Sequence, residues 1–384
     1  MAKLTCRIGL MFSTTGPYST AVRPMLNGAR LAIREAAEAG EVAFEPVEVN
    51  PGGDLSRYAA LAGDLLSGGV RHVVGCYTSS SRKEVIPCFE KHDGLLWYPT
   101  RYEGFESSEN VVYTGPAPNQ HILPLIDHLM ARFGDKAFCV GSNYVWAWEN
   151  NRILREVVTA RGGVVLTERY APVGETDMSQ IVEAICAARP SFVFSSFIGV
   201  SSHAFFRALR VACLARGIDQ PRLMPVASCN LSEPDLVDVG EGAADGHLSS
   251  SVYFSTLDNP ANLDFVAKYA AAFPDHPSTS ADAEATYVAV RLLAMALAKA
   301  GTEDVKSVKA AVTELRLAAP QGDVWIDPET MHAHLTPRIG RSRADGRFDV
   351  LIEKPAPVRP DPYLVRFSPS DAWSAPRARL RVVN

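Results

Sequence analysis

The chain has 384 residues, beyond the length at which one hydrophobic core usually stops growing, so two domains are expected. Hydrophobic residues make up 47% and charged residues 21%, an ordinary globular balance that excludes a disordered chain. A formal net charge of −5 supplies no basic field for a phosphate backbone, which argues against direct nucleic-acid binding by the whole chain.

The amino-terminal stretch from Met1 to Phe12 is too short and interrupted for a signal-peptide core and reads as a first strand over 7–12. No apolar run approaches the roughly eighteen residues of a membrane-crossing helix, so no membrane segment is expected. With no leader recognised, a cytoplasmic location is expected. Apolar residues at Met25, Ala29, Ala32, Ile33 and Ala36 predict a helix over 21–39. A strand over 44–49, a helix over 55–67, a strand over 71–75, a helix over 82–91 and a strand over 94–98 follow. The turn-rich Gly115-Pro116-Ala117-Pro118-Asn119-Gln120 then reads as a crossing between domains.

The alternation resumes with helix 121–133, strand 137–141, helix 149–161, strand 164–170, helix 178–188, strand 192–197, helix 202–216, strand 223–227 and a short helix near Glu233. This pattern predicts an α/β fold of two doubly wound parallel-sheet lobes, similar halves in tandem without a repeat at the letter level. Helices over 260–273 and 281–300, a short strand over 323–326 and a Pro- and charge-rich end from Glu353 form a tail that wraps back. Both lobes are then discontinuous, 1–117 with 250–325 and 118–249 with 326–384, joined by a multi-strand hinge able to close on a ligand.

The chemistry concentrates between Val73 and Glu106. One apolar run ends in Gly75-Cys76-Tyr77-Thr78-Ser79-Ser80-Ser81 and the next in Trp97-Tyr98-Pro99-Thr100. Two strands would therefore present hydroxyls at their carboxyl ends, where open α/β sheets bind ligands. Hydroxyls donate and accept without carrying charge, which suits a small neutral polar molecule. Ser79 to Ser81 also fit as the N-cap of the following helix. Ser228, Asn230 and Ser232 are candidates from the second lobe, with capped turns an equal alternative. Glu284, in an otherwise small and apolar helix, reads as a solvated residue.

Seven widely spaced cysteines without a C-x-x-C pair read as reduced thiols. Cys76 beside Tyr77 raises a cysteine amidase, but no His or Glu stands in an activating arrangement. His203, His247, His332 and His334 lack metal-ligand spacing and read as surface-loop histidines. No phosphate loop is present, and no catalytic residue, metal or cofactor is expected.

These residues also carry a resemblance. Asn50-Pro51-Gly52-Gly53-Asp54, Gly75 to Ser79, Arg82-Lys83, Tyr98-Pro99-Thr100 with Tyr102 to Glu106, Gly115 to Gln120, Gly141-Ser142-Asn143-Tyr144 and Arg359-Pro360-Asp361-Pro362-Tyr363 span nearly the whole chain in order. In them the sequence resembles the amide- and urea-binding branch of the type I periplasmic-binding-protein fold, which includes the negative regulator of the aliphatic amidase operon. The resemblance implies a small neutral amide or urea-like ligand between the lobes, held by Tyr77, Ser79, Tyr98 and Thr100 on one side and Tyr144 on the other. Trp146 stands where that family carries a second tyrosine, so the ligand wall differs there. The implied output is a cytoplasmic receptor that holds an RNA-binding antitermination regulator inactive, with a homo-oligomer expected. A substrate-binding subunit of an ABC transporter for urea or short amides is the alternative, and an amide hydrolase a third reading.

Overall fold

The computed structural model describes residues 4–366. The first lobe is built from β1 (Thr5–Met11), α1 (Ser19–Glu38), β2 (Ala43–Val49), α2 (Leu55–Ser67), β3 (His72–Gly75), α3 (Ser79–His92), β4 (Leu95–Tyr98) and β5 (Val111–Tyr113). Its sheet is parallel in the order β2-β1-β3-β4-β5. The chain then lays down α4 (Pro118–Arg132), β6 (Lys136–Ser142), α5 (Val145–Ala160), β7 (Val164–Ala171), α6 (Ser179–Ala188), β8 (Phe192–Ser196), α7 (Gly199–Ala215), α8 (Gln220–Leu223), β9 (Val226–Ser228), α9 (Glu233–Val239) and β10 (Leu248–Ser251). These strands pair in parallel as β7-β6-β8-β9-β10, repeating the strand order of the first lobe. Each sheet therefore reverses its winding beside its first strand, which opens a crevice at the strands' carboxyl ends.

Helices α10 (Pro260–Ala272), α11 (Ala281–Ala300) and α12 (Val305–Val312) return to the first lobe, with α11 packed along α1 and against β3 and β4. A small antiparallel sheet follows, formed by β11 (Leu317–Ala319), β12 (Gly322–Ile326) and β13 (Ala333–His334). The chain then re-enters the second lobe as β14 (Arg338–Ser342) and β15 (Phe348–Glu353), which extend that sheet in antiparallel pairing beyond β10. Among the described residues, no helix is long and apolar enough to cross a membrane.

Side-chain alternation divides the first lobe's core. Ile8 and Leu10 of β1, Val74 of β3 and Trp97 of β4 face α1 and α11, whereas Met11, Val73, Leu96 and Tyr98 join Tyr58, Leu65, Val85 and Phe89 on the opposite face. Helix starts are fixed by capping groups. Asp54 accepts from the backbone N–H of Ser56 and Arg57 at the head of α2, and Thr78 accepts from Ser81 at the head of α3. Each such cap stabilises its helix by about 1 kcal/mol.

The structure changes several expectations. Helix α3 begins at Ser79 rather than at residue 82, because the cap is Thr78. Helix α5 begins at Val145 rather than at 149, behind an extended Tyr144, and a β-branched residue and two tryptophans conceal its periodicity. Glu284 is not solvated. It is fully buried on α11 and accepts hydrogen bonds from the Gln321 backbone N–H at 3.2 Å and side-chain amide at 2.8 Å. Nor do the histidines lie in surface loops, since His203, His247 and His332 are buried. His332 stacks on Tyr113 with ring centroids 4.1 Å apart and bonds Tyr102, which explains its place inside.

Candidate ligand-binding cleft

Four strand-to-helix turns and the segment between β4 and β5 deliver side chains to one small cavity between the lobes. The turn after β3 brings Tyr77 and Ser79, the segment after β4 brings Thr100 and Arg101, and the turn after β6 brings Tyr144 and Trp146. Ile198 comes from the turn after β8 and Asn230 from the turn after β9. The free space inside it is about 10 Å³, room for about one water. Pockets for drug-sized ligands run from about 300 Å³ upward, so a drug-sized molecule does not fit here.

Backbone conformation sets the wall. Cys76 adopts φ 64°, unusual for a residue with a side chain, and redirects the chain so that Tyr77 enters the cleft. Gly115 packs on the backbone of Thr100 so closely that a Cβ there would lie 2.3 Å from the Thr100 carbonyl. Across the cleft, Gly199 has φ 55° and a Cβ on it would meet the Pro17 carbonyl oxygen at 2.0 Å. The Val200 N–H donates to that carbonyl at 3.2 Å, and the Thr20 hydroxyl donates to Asp238 at 2.7 Å. These contacts hold the head of α1 in the first lobe against α7 and α9 in the second.

Six of the residues that the sequence pointed to line the cavity: Tyr77, Ser79, Thr100, Tyr144, Trp146 and Asn230. Tyr98 does not. It belongs to the opposite face of the sheet, its hydroxyl donates to the Tyr77 carbonyl at 3.1 Å, and its ring lies against the Arg82 guanidinium at 4.7 Å. The alternation of Trp97 and Tyr98 along β4 already carried that signal. Ser228 and Ser232 serve the turns: Ser228 accepts from the backbone of Asn230 and Leu231, and Ser232 donates through its backbone N–H and its hydroxyl to the Asp235 carboxylate at the head of α9. Trp148 is 47% exposed and donates to Asn143, away from the cavity.

Two lining residues escaped the sequence reading, Arg101 and Ile198. Ile198 is an apolar wall that no motif marks. Arg101 directly follows Thr100, and its charge was the available signal. It is 7% exposed and donates to Asp282 at 2.6 Å. Burial raises the Asp282 carboxyl, and the guanidinium beside it opposes that rise.

The remaining charges near the cleft are also paired. Ser79 donates to Glu103, whose carboxylate meets Arg82 at 3.1 Å. Arg82 also binds Glu106 at 2.6 Å, and although burial pushes the Glu106 carboxyl up, Arg82 and Lys83 hold it down to about 2. Two polar atoms of the wall lack a hydrogen-bond partner among the described residues, the Thr100 hydroxyl and the Trp146 indole N–H. Buried polar groups are rarely left so, and both are suited to contacting a bound molecule. Burial pushes the Tyr77 phenol well above its ordinary value, so Tyr77 is a neutral hydroxyl at physiological pH. The Cys76 thiol, pushed by burial up to about 12, is not a thiolate nucleophile.

Comparison with known proteins agrees with this architecture. Leu/Ile/Val-binding protein homolog 6 of Brucella abortus is 24% identical over 336 residues, covering 85% of this chain and 84% of that protein. A limonene hydroxylase of Geobacillus stearothermophilus is 28% identical over 124 residues, but the match spans 32% of this chain and only 23% of that protein. Among solved structures, a solute binding protein of an ABC transporter from Rhodopseudomonas palustris, in complex with p-hydroxybenzoic acid, superposes with a TM-score of 0.82 at 22% identity, covering 92% of this chain and 98% of that one. A branched-chain amino acid transporter substrate binding protein from Streptococcus pneumoniae, in complex with isoleucine, gives 0.77 at 16% identity, covering 91% and 99%. The family model described as a periplasmic binding protein domain matches residues 6–369, so the chain belongs to the periplasmic binding protein family.

Proposed function

We propose that this protein is a solute receptor whose lobes close on a compact neutral molecule with a carbonyl oxygen and N–H groups, a short amide or urea, for delivery to an ABC transporter. The carrying observation is the pair of unpartnered buried atoms in the small cavity, the Trp146 indole N–H and the Thr100 hydroxyl. An indole only donates and therefore asks for an acceptor such as a carbonyl oxygen. A hydroxyl also accepts, as do the phenols of Tyr77 and Tyr144, and these suit the N–H groups of the same ligand. A ligand without net charge leaves the internal pairing of Arg101 with Asp282 and of Glu103 with Arg82 undisturbed.

Solved structures named as transporter binding proteins favour the transporter reading over an antitermination regulator, and they do not favour a cytoplasmic location. Closure follows from differential affinity: a ligand touching both lobes stabilises the closed state by its extra contacts there. With about four heavy atoms at a ceiling of roughly −1.5 kcal/mol each, binding gains at most about −6 kcal/mol, so the dissociation constant is no tighter than tens of micromolar. Native mass spectrometry of protein taken directly from cells, followed by a thermal-shift panel of ureas and short amides, tests the reading. A retained small neutral amide or a panel member that raises the melting temperature supports it; a retained carboxylate or aromatic acid displaces it.

A further inference from the structure

We infer that the Arg101–Asp282 pair is the selectivity device of the cleft, admitting the uncharged carbonyl group of an amide or urea and turning away the carboxylate of the same shape. The inference rests on the ligand reading above and makes it specific. Arg101 and Asp282 lie 181 residues apart in sequence, one after β4 and the other in the first turn of α11, yet their side chains meet at 2.6 Å beside the cavity. Both side chains are nearly fully buried, and Arg101 forms part of the wall.

A guanidinium carries five N–H donors in a rigid fork, and a single carboxylate oxygen at one nitrogen leaves much of that fork for other acceptors. Thr100, Trp146 and Tyr77 share the wall with it. A carbonyl oxygen can therefore gather donors from Arg101 and Trp146 while bringing no charge.

A carboxylate meets a different balance. The Arg101 charge is already matched by Asp282, so an anionic ligand would make two buried carboxylates share one guanidinium. The neighbouring charges do not relieve this. Glu103 takes up Arg82, and across the cleft Asp235 is held by His203 at 2.8 Å and adds repulsion toward Asp282. The pocket thus contains a strong donor whose charge has been spent.

The experiment is calorimetric titration of the full chain with acetamide, propionamide, urea and acetate, on the wild type and on Asp282→Asn. The wild type is expected to bind at least one of the neutral compounds, and acetate about tenfold more weakly or worse. Asp282→Asn frees the Arg101 charge and is expected to raise acetate affinity about tenfold while lowering that for the neutral ligand. Arg101→Gln is the second variant, expected to lose about tenfold in neutral-ligand affinity without gaining acetate. Wild-type selectivity in folded Asp282→Asn, or unchanged affinity in Arg101→Gln, overturns the inference and leaves the ligand reading intact. A wild type silent toward acetamide, propionamide and urea alike overturns the ligand reading itself.

Discussion

Two buried arginines in the first lobe, Arg82 and Arg101, do opposite things with the same side chain. Arg82 lies between the rings of Tyr98 and Tyr102, 4.7 Å from each, and bonds both Glu103 and Glu106, so its fork is consumed by the protein. Arg101 bonds one carboxylate and faces the cavity. The first site fastens the β4 end of the lobe to α3; the second presents donors to a ligand. What separates them is the number of partners supplied by the fold, not burial.

The largest expected effect comes from breaking the closed site. Arg82→Met leaves Glu103 and Glu106 without their shared guanidinium and is expected to destabilise the protein by about 3–5 kcal/mol, read from urea unfolding. An effect within error of wild type would remove the distinction between the two arginines.

A third buried carboxyl sharpens it. Glu106, gripped by Arg82, is held down to about 2, whereas Glu284 has amide donors from Gln321 instead and is pushed by burial up to about 8, with Arg338 opposing. Between its ordinary value of 4.5 and about 8 the folded chain keeps a proton on Glu284 that the unfolded chain releases. The stability contributed by that group is therefore full on the acid side and lost as pH rises through 8. Glu233, pushed up to about 7 by burial, acts in the same direction. Unfolding free energies measured from pH 5 to 8 are expected to fall more steeply for the wild type than for Glu284→Gln; equal slopes would contradict the assignment.

Smaller effects belong to the cavity wall. Trp146→Phe removes an indole donor that has no partner among the described residues, so ligand affinity is expected to fall by about 1–2 kcal/mol; an affinity equal to wild type would put that N–H beyond the ligand. Tyr77→Phe is expected to weaken binding by about 1 kcal/mol, and an unchanged affinity would take its hydroxyl out of the ligand's reach.

Much of this was legible in the chain because period-2 and period-3.6 patterns are local. The strands β1, β3, β4, β6 and β8 and the helices α1, α10 and α11 announce themselves by apolar spacing, and the hydroxyls at Tyr77, Ser79 and Thr100 follow from where strands end. The three-residue β5 and the antiparallel pair β14 and β15 are set by what they pair with, so the residues themselves carry little signal. Glu284 looked solvated because its partner Gln321 lies 37 residues away, and Arg101 went unread because its carboxylate lies 181 residues away. Partners at such separations are created by the fold.

The most direct test of the central claim is calorimetry of the wild type with acetamide, propionamide and urea against acetate and p-hydroxybenzoate. Expected is binding of a neutral compound with a dissociation constant no tighter than about ten micromolar, and weaker binding of both acids. Preferred binding of either acid, with the neutral compounds silent, would contradict it.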